Sequence, residues 1–157
     1  MDSDIHVTAA AVIERDGRFL LVEELVDGRL VLNQPAGHLD PGESLPTAAA
    51  RETLEETGYG FSPSHLVGVY HWRAESGATY LRFTFCGEHA APVGPIRLDE
   101  GIVSVHWLTR AQMLARSGDL RSPMVLRCVD DYLAGVRHSL DVVRYLTLER
   151  LAKRARP

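Results

Sequence analysis

Residues 5–14, IHVTAAAVIE, form a β-branched and apolar run that predicts a central strand. Asp16-Gly17 signals a turn, and RFLLVEE at 18–24 reads as the return strand of a hairpin. Asp27-Gly28 marks a second turn before a short strand at Leu30–Leu32. A loop rich in glycine and proline follows, NQPAGHLDPGES at 33–44. Ser44 is a candidate helix N-cap, with Pro46 in the first turn and Gly58 where a left-handed glycine ends a helix. Pro46, Ala49, Ala50, Thr53 and Leu54 are expected to form the face that packs on a sheet. Strands are predicted at 65–74, 79–87 and 102–108, with a loop at 88–101. A helix is expected to start at Thr109, and another to run from about Ser122 to Ala134. Strands joined mostly as hairpins, with helices on both sides, predict an α/β/α sandwich.

Charge patterning changes the picture at one place. Asp40 and Glu43 lie in the broken loop, and Glu52, Glu55 and Glu56 follow on the predicted helix beside Arg51. At about 100° per residue, the three helical glutamates share a sector roughly 100° wide. Like charges this close repel, so a solvated acidic face competes with a cation site. Oxygen ligands in such numbers suit Mg²⁺ or Mn²⁺ rather than zinc.

Composition narrows the classes. The chain has 157 residues, 45% of them hydrophobic, enough for one domain with a real core. A net charge of −4 argues against a general nucleic-acid binder but leaves nucleotide substrates open. Cys86 and Cys128 fit no metal or redox spacing and read as reduced thiols of a cytoplasmic protein. The acidic N-terminus MDSDIHVTAA lacks a signal-peptide pattern, and no run approaches 18 apolar residues. A small-molecule substrate is expected, with no membrane and no specific nucleic acid, in a monomer or homodimer.

The spacing of Gly37, Glu43, Arg51, Glu52, Glu55, Glu56 and Gly58 resembles the Nudix box, with all seven fixed positions matched. Thr53 stands where an aliphatic residue is usual, and Tyr59 ends the box; Thr53 is expected to bond its hydroxyl to the preceding turn. The resemblance implies a Nudix-type α/β/α sandwich with a mixed β-sheet over residues 1–140. A basic tail follows at 141–157, with Arg144, Arg150, Lys153, Arg154 and Arg156, expected as a terminal helix. It also implies a hydrolase of diphosphate bonds that uses Mg²⁺, with Mn²⁺ as the alternative. Glu55 and Glu56 are then the main ligands, Glu52 a ligand or base, and the Ala36 carbonyl a further ligand. Arg51 orients glutamates, Glu43 among them, and Glu43 is structural. Glu100, in the loop before Trp107, is the candidate general base, with Asp99 a weaker one.

The segments HVTAAAV, GRFLLVEE, NQPAGHL, YLRFTF and LRSPMV resemble a bacterial phosphatase branch of that family over roughly residues 6–135. That branch implies release of orthophosphate from nucleoside di- and triphosphates, and action on hydroxymethylpyrimidine diphosphate and thiamin diphosphate. A non-catalytic sensing module, an ADP-ribose hydrolase and an enzyme acting on RNA 5′ ends are the alternatives. Gln34, Arg82 and Arg121 are candidate substrate contacts, each balanced by a structural role: a loop hydrogen bond, an ion pair and a helix cap. Glu23 faces an unassigned side. His71 and Trp72 suggest a stacking surface, although a tryptophan there is more often core. His6 and His38 lack zinc spacing.

Overall fold

A computed structural model describes residues 5–148. Two sheets form the middle of the molecule. The first runs β5 (Ala36–His38), β1 (Ile5–Val12), β7 (Thr79–Ala90), β6 (Gly60–Arg73) and β9 (His138–Ser139). It is mixed, since β1 and β7 are parallel and its other pairs antiparallel. The second places β3 (Arg18–Val26) between β4 (Arg29–Asn33) and β8 (Ile102–Thr109), with the short β2 (Glu14–Arg15) also on β3. The chain crosses from one sheet to the other at Gln34 and Pro35, between β4 and β5.

Helix α1 (Leu45–Thr57) packs on one side; α2 (Arg110–Ala115) and α3 (Pro123–Leu133) pack on the other. Strand periodicity explains the apolar run at the N-terminus. Ala9, Ala11 and Ile13 join Ala48, Ala49, Phe61 and Phe85 in the α1 cluster, while Val12 joins Leu21, Met113, Val125 and Val129 in the other. A strand covered on both faces has no polar positions to spare. The expected α/β/α sandwich with a mixed sheet is what forms.

Several boundaries differ. The loop at 33–44 contains β5, whose Ala36, Gly37 and His38 pair with Ala10, Ala9 and Thr8. Strand β6 begins at Gly60 rather than 65, because Ser62 and Pro63 continue the pairing with Glu88 and Gly87 before a register shift at Pro63/His65. Proline is tolerated there because β6 lies near the sheet edge. The packed face of α1 is Ala48, Ala49, Thr53, Glu56 and Thr57; Leu54 is exposed. Both turn signals hold: Asp16, Gly17, Asp27 and Gly28 all have positive φ, as tight hairpin turns require.

Beyond α3 the chain stays on the domain. Ser139 and His138 pair with β6, and Leu140 and Val143 pack against the α1 cluster. Most of the basic segment, including Arg150, Lys153, Arg154 and Arg156, lies outside the described residues.

Candidate functional site

Local rules place the acids. The Ser44 hydroxyl accepts the Thr47 N–H at 3.3 Å, and Gly58 closes α1 at φ 74° with its N–H on the Leu54 carbonyl. Thr53 donates to the Ala49 carbonyl at 2.7 Å, as expected of its hydroxyl. Within this frame Arg51 is a hub. Its guanidinium reaches Glu43 Oε1 at 2.7 Å and Oε2 at 3.1 Å, Glu52 Oε1 at 2.8 Å, Glu55 Oε2 at 3.1 Å and the His38 carbonyl at 3.0 Å. Asp40 stands at 3.4 Å. The Arg51 bonds hold the Glu43 carboxyl below its ordinary range and push the guanidinium further up.

The β5 segment faces these glutamates. Ala36 N–H donates to Glu56 Oε2 at 2.9 Å. A Cβ on Gly37 would lie 2.1 Å from the Glu52 carboxyl carbon, so only glycine lets Glu52 lie against the loop. Burial raises the Glu56 carboxyl to about 8, with Glu52, Glu24 and Asp99 acting in the same direction and the Ala36 N–H opposing. Burial also raises Glu52.

Glu52 and Glu56 open on a cleft of about 310 Å³ that Ala36, Gly37, Arg82 and Arg121 also line. Thr8, Glu24, Asn33, His38, Asp40 and Tyr80 complete the wall. Arg82 is 5% exposed, and its amino group bonds the side-chain oxygens of Asn33 at 3.2 Å and Gln34 at 3.3 Å. Neither partner is a carboxylate. Burial lowers its affinity for the proton, and its Nε has no partner among the described residues. Thr8 Oγ1, beside it in the β1–β7 register, is likewise unpaired. Buried polar groups rarely stay unsatisfied, so both point to something that enters the cleft. Arg121 is delivered by its own N–H on the Leu32 carbonyl at 2.9 Å, and its guanidinium stands 3.5 Å from Glu24.

Other candidates fall elsewhere. Gln34 is 1% exposed, with its amide on the Val125 carbonyl at 2.6 Å and its oxygen on Arg82. It braces Arg82 from behind and has no surface for substrate. Glu55 is exposed on Arg51 and does not line the cleft. Glu100 is exposed and also off the cleft wall. Asp99 is the acid of that loop whose charge reaches Glu56, and its N–H bonds the Glu55 carbonyl at 3.2 Å. Glu23 faces away, held by Ser104 at 2.9 Å and Arg116 at 3.3 Å. His71 is exposed, and Trp72 is half-buried rather than core, stacked on Tyr80. His6 and His38 hydrogen-bond each other at 3.0 Å. Thr8, Glu24 and Asn33 were not anticipated. A signal for Glu24 existed: Leu20 packs in the α1 cluster, and period two carries that face to Glu24.

Among the described residues no three acidic, histidine or cysteine side chains converge as a preformed metal cluster. The donor set still fits a hard cation. Glu24, Asp40, Glu52 and Glu56 supply oxygens only, and burial together with the neighbouring acids makes the Glu56 carboxyl hold its proton tightly, a cost that a bound cation would relieve. This sets a pH dependence. The group ordinarily titrates near 4.5 and in the fold near 8, so its contribution to stability is full below 4.5 and is lost as pH rises through 8. The full gap is an upper bound of about 5 kcal/mol, and relaxation should leave about 2 kcal/mol, or roughly 5 °C. Melts in chelator at pH 6 and 8.5 cover the upper part of that window and should show about half of this drop, and Glu56→Gln should lack it. Equal slopes in both proteins would contradict the assignment.

Residues 4–128 match the NUDIX domain family. The chain is 39% identical over 140 residues to the phosphatase NudJ of Shigella boydii and of Escherichia coli K12, covering 88% of this chain and 90% of each relative. Its fold superposes on a NUDIX hydrolase from Nitrosomonas europaea with a TM-score of 0.88 and 48% identity, over 91% of this chain and 98% of that one. Among the described residues no helix is long and apolar enough to cross a membrane. With this spacing of glutamates on α1 and a likeness running through nearly all of both chains, the protein belongs to the Nudix family, as a hydrolase of pyrophosphate bonds related to the NudJ phosphatases.

Proposed function

We propose that this protein is a Mg²⁺-dependent cytoplasmic phosphatase that releases orthophosphate from nucleoside di- and triphosphates and from thiamin-type pyrophosphates. The observation that carries the reading is the pairing, in one cleft, of buried acids with two guanidinium groups, one of which has an unsatisfied Nε. Glu52, Glu56 and the Ala36 carbonyl would hold the cation, with Mn²⁺ as a substitute, and Glu55, which stands outside the cleft on Arg51, would join them only by leaving that arginine. A bound divalent ion supplies charge neutralisation and a more acidic water. Arg82 and Arg121 take phosphoryl oxygens, and the Thr8 hydroxyl offers one further bond. Arg51 keeps Glu43 and Glu52 in place through its planar fork. Glu52, where it is not a ligand, accepts a proton from the attacking water. The exposed position of Glu100 favours Glu52 over Glu100 for that role.

The test is a product assay with Mg²⁺ on GDP, GTP, hydroxymethylpyrimidine diphosphate, thiamin diphosphate, ADP-ribose and a dinucleoside polyphosphate. Orthophosphate from the first four is expected. Pyrophosphate from GTP, or cleavage of ADP-ribose alone, would overturn the substrate assignment. Binding of Mg²⁺ without turnover of any compound would favour a sensing module.

A further inference from the structure

A row of aromatic rings crosses the floor of the first sheet beside the cleft. His38 meets His6 edge-on at 5.1 Å; His6 stacks on Tyr80 at 4.8 Å and 20°; Tyr80 stacks on Trp72 at 5.4 Å and 28°. The order follows from register, because His6 pairs with Tyr80 and Tyr80 with Trp72 across neighbouring strands. The row ends at His38, which lines the first cleft, and at Trp72, where a planar ligand could extend the stack on the side away from the acids.

Trp72 lines a second cleft of about 670 Å³, with Leu120, Arg121, Ser122, Pro123 and Leu126. The volume suits a small organic ligand. Arg121 lines both clefts, so the two lie side by side. Ser122 supplies an independent sign. It occupies the N-cap of α3, yet its hydroxyl makes no cap bond. It is 6% exposed, and Oγ has no partner among the described residues. An N-cap serine normally satisfies a helix N–H with this oxygen. Here the buried hydroxyl has its bonding capacity unspent, and a rotation about χ1 would present it to the cleft that Ser122 lines.

We propose that the Trp72–Ser122 cleft is the subsite for the organic half of the substrate, and that it takes a planar nitrogen heterocycle stacked on Trp72 with a ring or exocyclic nitrogen on Ser122 Oγ. The proposal rests on the reading of the neighbouring cleft as the diphosphate site. It makes Trp72 and Ser122 determinants of specificity, with Arg121 spanning the junction between ring and phosphates. Both a nucleobase and an aminopyrimidine carry this chemistry.

The test separates ring recognition from hydrolysis. The methylene-bridged analogue of GDP, whose P–C–P link resists cleavage, is titrated with Mg²⁺ into wild type, Trp72→Ala and Ser122→Ala; methylenediphosphonate serves as the ringless probe. Trp72→Ala is expected to weaken the GDP analogue about tenfold more than the ringless probe, the size of one lost base stack. Ser122→Ala is expected to weaken it about threefold with a melting temperature within about a degree of wild type, since no cap bond is lost. An unchanged ratio between the two probes in Trp72→Ala overturns the subsite, even if GDP is hydrolysed. A melting temperature several degrees lower in Ser122→Ala with unchanged affinity assigns that serine to the helix and overturns its part. Ring-dependent binding with no turnover of GDP itself supports the subsite and removes the hydrolytic reading instead.

Discussion

Glu56→Gln is expected to lower kcat by about three orders of magnitude at saturating Mg²⁺, equivalent to about 4 kcal/mol of transition-state stabilisation. The substitution is nearly isosteric. The amide oxygen can still accept the Ala36 N–H, so the bond that positions the side chain survives. What is lost is the negative charge that the buried site holds at a cost. Glu56 is 8% exposed: burial raises its proton affinity most, and the neighbouring acids Glu52, Glu24 and Asp99 add to it. A carboxylate in that setting is unfavourable unless a cation neutralises it. The variant should therefore be at least as stable as wild type above pH 8 in chelator, and should gain less from Mg²⁺, which stabilises the native state by binding to it. Glu55→Gln provides the comparison. Its side chain is exposed on Arg51, so a smaller loss of rate is expected than at Glu56. Near-wild-type turnover in Glu56→Gln would remove this residue from the reaction. A large loss accompanied by a collapsed melt would make it structural.

The parts of the site that could be read from the chain are those made by local geometry. A cap at Ser44, a left-handed Gly58 and contacts from Arg51 to Glu52 and Glu55 are set within a few helical turns, and each follows from residue type and spacing. Phase was harder. Taking Leu54 as packed placed the apolar face one step from where it lies, and this hid the fact that Glu56 shares the buried face with Thr53 and Thr57. The charged and apolar sectors of α1 are adjacent, not opposite. The remaining cleft residues depend on long-range pairing. Thr8 meets Arg82 only because β1 and β7 run parallel, and Arg121 arrives through a bond to β4. Nothing in a local pattern announces either. Gln34 shows the converse: a polar residue beside the metal loop looked available, but its donor is spent on the Val125 carbonyl and its acceptor on Arg82. Strand β6 extends five residues before the expected start because Ser62 and Pro63 keep pairing with Glu88 and Gly87, a long-range contact that the local pattern does not announce.

Arg51→Met is expected to have the largest effect on stability, about 2–3 kcal/mol, and to lower activity about 10–100-fold. The side chain is one quarter exposed, and its guanidinium joins two carboxylates that are themselves only 13% and 12% exposed, Glu43 and Glu52. Methionine replaces the stem and removes five hydrogen bonds, those to Glu43, Glu52, Glu55 and the His38 carbonyl. The penalty comes mainly from what remains: half-buried negative charges without their cation, which costs more than the pair itself contributes. Partial exposure places the estimate below the range for a fully buried pair. Lysine should recover only part of the loss, because one ammonium cannot span Glu43, Glu52 and Glu55 as the planar fork does. The effect also has a pH signature. Arg51 holds the Glu43 carboxyl below its ordinary range, so that part of the stability is present at neutral pH and is lost as pH falls through the depressed value. In Arg51→Met the acid limb should flatten, and Glu43→Gln should then add little to the damage already done. Arg127→Met is the control: its ion pair with Asp131 is 69% exposed on the arginine side and should contribute less than about 0.5 kcal/mol. Urea titrations of wild type and these variants at neutral and acid pH decide the matter. If Arg51→Met and Arg127→Met cost the same, the hub has no special role, and the positions of Glu43 and Glu52 are set by the backbone alone.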